Sequence, residues 1–124
     1  GSGLKISYVS QDTSGLKGKL SELTQKEGID ESLFLAMLAK LDVEKVQMEK
    51  DMSALSAGQK KKVLLAMSIC QNVHLHIWDE PMNYIDVISR MQIEELLLEY
   101  KPTILFVEHD KMFCDHVATK IVDV

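Results

Sequence analysis

Apolar positions recur along this chain at two different spacings. From Lys5 to Val9 they alternate, with Ile6 and Tyr8 on one face, which is the spacing of a short strand. Polar turn residues follow, from Gln11 to Gly18. From Glu31 to Leu41 the spacing becomes helical. There Leu33, Phe34, Met37, Leu38 and Leu41 form one stripe, and Asp30 stands where an N-cap belongs. Ser56 can cap a further helix, roughly Ala57 to Cys70, with Val63, Leu64 and Met67 turned inward. Leu75-His76-Ile77-Trp78 reads as a buried strand ending at Asp79. Asp86 can open another helix, striped by Ile93, Leu96, Leu97 and Tyr100, which Pro102 terminates. Thr103 to Val107 is β-branched and apolar, hence a strand. A short helix over about Lys111 to Val117 and a last strand over Lys120 to Val124 complete the pattern. Strand, helical stretch, strand, helix, strand predicts an α/β fold with a mostly parallel sheet. The all-helical stretch Lys19–Glu49 reads as an insert beside that sheet.

Composition narrows the function classes. A length of 124 residues suits one domain, and 46% hydrophobic residues are enough for a core. The net charge of −5 gives no basic footprint for unaided nucleic-acid binding. No apolar run approaches the roughly 18–20 residues that cross a bilayer, and no charged–apolar–small leader opens the chain. A cytoplasmic protein with no direct membrane insertion is therefore expected. Cys70 and Cys114 sit in apolar segments without Cys-x-x-Cys spacing and read as reduced core thiols. Gly1-Ser2-Gly3 reads as an expression scar, leaving 4–124 as the folded unit.

Four short motifs carry candidate chemistry. Leu55-Ser56-Ala57-Gly58-Gln59 lies directly before a helix. A hydroxyl, bare N–H groups and the positive end of a helix dipole suit a phosphate oxygen. A plain capped helix start with a flexible glycine accounts for it equally well. Lys60-Lys61-Lys62, on the next turn, is expected to be a solvated face, with attraction of phosphate as the alternative. Asp79-Glu80-Pro81 closes an apolar strand, where α/β proteins place their ligands. Asp79 there can hold Mg²⁺, and Glu80 can orient and deprotonate an attacking water. His109, after Phe106-Val107-Glu108, can donate to a terminal phosphate, and Gln11 can touch Mg²⁺ or the water through its amide. His74 and His76 lie two apart, but no third ligand has matching spacing, so a metal pair carries little weight.

In the order Gln11, Leu55–Gln59, Leu75–Pro81, Asn83-Tyr84-Ile85-Asp86, His109, these motifs together resemble the ATP-binding cassette. Family order there is Q-loop, signature motif, Walker B, D-loop and switch histidine. The resemblance implies an α/β, partial P-loop NTPase domain over 4–124, with a mainly helical subdomain over 18–70 that carries the signature. It implies ATP and Mg²⁺ as ligands. Ser56, Ala57, Gly58 and Gln59 would be the signature contacts to nucleotide, and Ala57 replaces the usual second glycine. Asp79 would be the magnesium carboxylate, with Gln11 at the same ion. Glu80 would be the general base and His109 the phosphate switch. Asn83 and Asp86 would lie in the loop crossing to a partner domain.

Asn83-Tyr84-Ile85-Asp86 and the stretch His109 to Ala118 look closest to the ABC-F branch, soluble tandem-cassette ATPases that act on ribosomes, some protecting them from antibiotics. Glu108 and Tyr84-Ile85 look closer to that resistance group. The implied partners are a second cassette, met head to tail, and the ribosome through parts this chain lacks. No Gly-x-x-x-x-Gly-Lys-Ser/Thr occurs in the sequence, so the main phosphate cradle is missing. The chain alone is therefore expected to be inactive and prone to self-association. The rival reading is a piece of the nucleotide-binding subunit of a membrane transporter, and a second rival is a degenerate cassette that serves only as an interaction module.

Overall fold

The computed structural model describes residues 5–10, 13, 15–82, 85–100, 102 and 104–107. Three strands, β1 (Ile6–Val9), β2 (Leu75–Asp79) and β3 (Ile104–Val107), form one parallel sheet in the order β1-β2-β3. Ile6 pairs with Leu75 and Val9 with Trp78, while His76 pairs with Ile104 and Asp79 with Val107. Among the described residues, five α-helices connect them: α1 (Leu20–Glu27), α2 (Glu31–Lys40), α3 (Lys45–Met48), α4 (Ala57–Cys70) and α5 (Val87–Tyr100). The α/β class and the parallel sheet stand as the sequence predicts.

The helical excursion between β1 and α4 is closed at its base. Met52 N donates to Gly18 O at 2.8 Å, and the Asp51 carboxylate takes Gly18 N at 3.1 Å and Ser53 N at 2.9 Å. These donors, Ser53 foremost, hold the Asp51 carboxyl below its ordinary range. Within the excursion, Asp30 caps α2 by accepting from Leu33 N. Gly28 ends α1 in a left-handed turn at φ 64°, where a side chain would be strained.

One sheet face is covered. Ser7 and Val9 of β1, with His76 and Trp78 of β2, are buried there against α4. Trp78, Phe34, Met37, Leu38, Val63, Leu65, Ile93 and Leu96 belong to one core cluster. Lys40 with Glu99, and Asp42 with Gln92, join the end of α2 to α5. The opposite sheet face is open among the described residues: Ile6 is 51% exposed, Tyr8 59% and Leu105 57%.

Several side-chain placements differ from expectation. Leu33 and Tyr100, assigned to apolar stripes, are exposed at the rim of theirs. In α4 the deepest apolar residues are Val63, Leu65 and Ala66, with Leu64 and Met67 half-buried. Lys61 is 0% exposed and Lys62 only 9%, so the lysine run is not a solvated face. The reason is that α4 runs along the covered sheet face, with its first turns at the carboxyl edge. Its long stems fill the space there and carry their ammonium groups to polar partners.

Candidate functional site

The sequence of α4 builds its own start. Ser56 is extended at φ −65° and ψ 164°, and its hydroxyl accepts from Gln59 N at 3.1 Å. The Gln59 side chain returns the bond, taking Ser56 N at 3.1 Å. This is a capping box, which satisfies two of the helix's otherwise orphaned donors. Ala57 opens the helix and is exposed, and Gly58 is half-buried one residue on.

Lys61 locates this helix start on the sheet. Its Nζ donates to Ser10 O at 3.4 Å, one residue past the end of β1. Ser68, two turns later, meets Ser7 and His76 deeper in the sheet. The helix therefore runs antiparallel to the strands, with its N-terminus at their carboxyl edge. Ser56 lies five residues before Lys61, which at 1.5 Å per residue is about 7 Å farther out along the axis. A cap so placed projects beyond the sheet instead of folding back on β2.

The same edge carries the acids. Asp79 is the last residue of β2 and is half-buried. Its Oδ2 accepts from Tyr8 Oη at 3.3 Å, so the carboxylate lies toward the open sheet face. Glu80 follows with φ 52°, a left-handed backbone that is uncommon outside glycine. Such strain, roughly 1–3 kcal/mol, persists where the surroundings hold it and is concentrated at functional sites. Pro81 and Met82 are buried behind it and anchor the turn.

Asp86 reaches the same region as the opening of α5. Its Oδ2 accepts from Ser89 N at 3.2 Å. The Ser89 hydroxyl and amide hold the Asp86 carboxyl below its usual range, with the nearby Lys62 charge adding to the pull. Lys61, Lys62 and Tyr8 are thus neighbours of the site, whereas the sequence alone offered the lysines as a solvated face or an attraction for phosphate, and Tyr8 only as a strand residue. Tyr8 was legible as the residue two before Asp79's register on the neighbouring strand, but only once the strand pairing is known. The lysines were legible only as charge.

Gln11, Asn83 and His109 lie outside the described residues, as do Cys114, the helix expected at Lys111–Val117 and the strand expected at Lys120–Val124. His74 is exposed, and its Nδ1 accepts from Lys5 N at 2.9 Å. His76 is buried and turned to Ser68, so the two imidazoles do different structural jobs. Cys70 is half-buried beside Met37 Sδ, and burial, aided by the Asp30 charge, pushes its thiol up to about 11. A groove of about 660 Å³ lined by Leu20, Leu35, Val43 and Met48 lies on the helical excursion, away from these acids.

Known proteins place this arrangement. Residues 2–83 match the family described as ABC transporter. YdiF of Bacillus subtilis (strain 168), described as an ATP-binding protein, is 31% identical over 99% of this chain. ABC transporter F family member 2 of Arabidopsis thaliana is 28% identical over 72% of it. The chain spans only 20% of YdiF and 13% of the Arabidopsis protein. Among solved structures, an archaeal ribosome recycling factor, aABCE1, in complex with the stalk protein aP1, superposes over 90% of this chain and 23% of its own. Its TM-score is 0.77 at 22% identity, a likeness of fold. The matched stretch takes in the capped helix start and the acidic strand end together, and the chain belongs to the ATP-binding-cassette family, with F-type proteins among its relatives.

Proposed function

We propose that this chain is the carboxyl-terminal part of an ABC-F-type ATPase cassette, over 4–124, whose whole protein hydrolyses ATP and acts on ribosomes. The observation that carries the reading is the shared edge. The capped start of α4 and the acids of β2 sit at the same carboxyl edge of a parallel sheet, with the cap projecting beyond it. Such edges are where open α/β sheets hold ligands.

Each residue then has a role. Glu80 takes a proton from the attacking water, and Gln11 and His109 flank the terminal phosphate. Asp79 fits a magnesium ion, because it offers hard carboxylate oxygens at the open face, beside a phenol that can orient them. Gln11 would share that ion. The ion, when bound, neutralises charge on the phosphate oxygens. Ser56, Ala57, Gly58 and Gln59 face the nucleotide of a second cassette, whose approach the outward cap permits. Asn83 and Asp86 lie in the loop between the two. Residues 18–70 act as the helical subdomain that presents the cap. The ribosomal setting follows the resemblance of Asn83-Tyr84-Ile85-Asp86 to the ABC-F branch, together with an F-type protein among the relatives.

The test uses the whole protein. Glu80→Gln keeps a water-binding amide but removes the base, so ATP is expected to stay trapped between paired cassettes and the protein to accumulate on ribosomes. Ser56→Arg is expected to abolish both effects, by placing a bulky cation at the cap. A Glu80→Gln protein that neither retains ATP nor cosediments with ribosomes above wild type would refute the reading, and cofractionation with membranes would point to a transporter instead.

A further inference from the structure

Ser68 lies deep on the sheet-facing side of α4 and is 0% exposed. Its hydroxyl is 2.8 Å from Ser7 Oγ on β1, 2.8 Å from His76 Nδ1 on β2 and 2.9 Å from Trp78 Nε1 on β2. A serine hydroxyl has one proton to give and two lone pairs to offer. The indole N–H can only donate, so Trp78 takes one lone pair. When His76 Nδ1 accepts the Ser68 proton, Ser7 fills the second lone pair. When Nδ1 carries a proton, it fills that lone pair and Ser68 donates to Ser7. In either order all three capacities of one atom are used, and each goes to a different residue. Burial alone does not call for this, since Val9 fills the adjoining position of the same face with an apolar side chain.

We infer that Ser68 is a positioning residue of the hydrolytic site: its hydroxyl pins α4, and with it the Ser56–Gln59 start, to the strands that lead into Gln11 and into Asp79-Glu80. The inference rests on the reading of those residues as nucleotide-facing. The hydrophobic effect is non-directional and by itself favours burial without specifying which atoms meet. Three directional bonds to one atom supply that specification. Trp78 immediately precedes Asp79, so the indole that Ser68 grips fixes where the carboxylates begin. On the other side, Ser56 is twelve residues along the same helix, about 18 Å at 1.5 Å per residue, and a continuous helix carries the constraint to it. His76, an unusual residue for an apolar strand, is accounted for as a member of this clamp.

Amide hydrogen exchange on the chain itself tests the clamp without nucleotide. In Ser68→Ala, exchange is expected to quicken about tenfold in α4 and β2 together, as befits one lost buried hydrogen-bond node. Exchange in α1, which the node does not touch, is expected to stay unchanged, and the emission of Trp78, the single tryptophan, to shift. Ser68→Thr keeps the hydroxyl and is expected to restore both. Should Ser68→Ala not fold, Ser7→Ala removes only the outer partner and is expected to loosen β1 and α4 alone. In the whole protein, Ser68→Ala is expected to lower kcat for ATP hydrolysis about tenfold or more, with KM little changed and rescue by Thr. In Ser68→Ala, uniform quickening that includes α1, loosening of α4 without β2, or an unaltered kcat would overturn the inference, as would a Ser7→Ala variant that leaves α4 unchanged. A wild-type protein without ATPase activity would instead count against the reading of the site, leaving the exchange result to stand by itself.

Discussion

Lys60, Lys61 and Lys62 are identical residues in three different environments, and alanine substitution should separate them sharply. Lys61 is 0% exposed, with its Nζ on Ser10 O, while Lys60 is half-buried on the outside of the same turn. Lys61→Ala removes three buried methylenes at about 0.8 kcal/mol each. It also removes one donor to a backbone carbonyl, a further ~0.5–1.5 kcal/mol. The expected loss is therefore roughly 3 kcal/mol, a large share of the stability of a small domain. Lys60→Ala is expected to stay within about 0.5 kcal/mol of wild type. Lys61→Met keeps the apolar stem and deletes only the ammonium. It is expected to recover most of the loss and to lie within about 1.5 kcal/mol of wild type. The assay is urea unfolding followed by Trp78 emission, since this one indole is fully buried and reports the sheet directly. Equal midpoints for Lys60→Ala and Lys61→Ala would refute the burial of Lys61, and with it the placement of the first turns of α4 against the carboxyl end of β1. A Lys61→Met variant as weak as Lys61→Ala would assign the effect to the ammonium and not to packing.

Further outcomes follow from other sites. Burial lowers the His76 pKa below its ordinary 6.5, so the unfolded chain binds more protons than the folded one below that pH. Stability is accordingly expected to be complete above about pH 6.5 and to fall as the pH drops toward the folded pKa, in acid titrations of the melting temperature, with the slope reduced in His76→Gln. Ser56→Ala removes the capping hydroxyl and is expected to cost about 1 kcal/mol, read as faster amide exchange in the first turn of α4. With its thiol near 11 in place of 9, Cys70 should react with a disulfide reagent at pH 8 on the order of a hundredfold more slowly than a free thiol, measured in Cys114→Ser. The open face at Ile6, Tyr8 and Leu105 is expected to drive self-association of the chain by itself, so light scattering should show concentration-dependent oligomers, and a strict monomer would contradict this.

Local chemistry made much of this protein readable from its sequence. Ser56 three residues before Gln59 specifies a capping box whatever surrounds it, because both bonds are made within one turn. Asp30 and Asp86 likewise announce their helices through a partner three residues on. The apolar run of β2 ending in two acids marked a strand end at a ligand edge, and alternation placed Ile6 and Tyr8 on one face. What depended on distant neighbours was not readable. Nothing local distinguishes Lys60 from Lys61, since the difference is whether Ser10, fifty-one residues away, lies beneath the side chain. His76 looked like an oddity in an apolar strand until α4 brought Ser68 against it. The contact of Tyr8 with Asp79 exists only because β1 and β2 pair in parallel at one particular register. The sequence by itself determined which helix starts are capped and which strand ends in acids. Which of them share an edge, and which charges are buried, was decided by tertiary packing, because burial and long-range hydrogen bonding depend on pairs of segments that no single stretch of sequence contains.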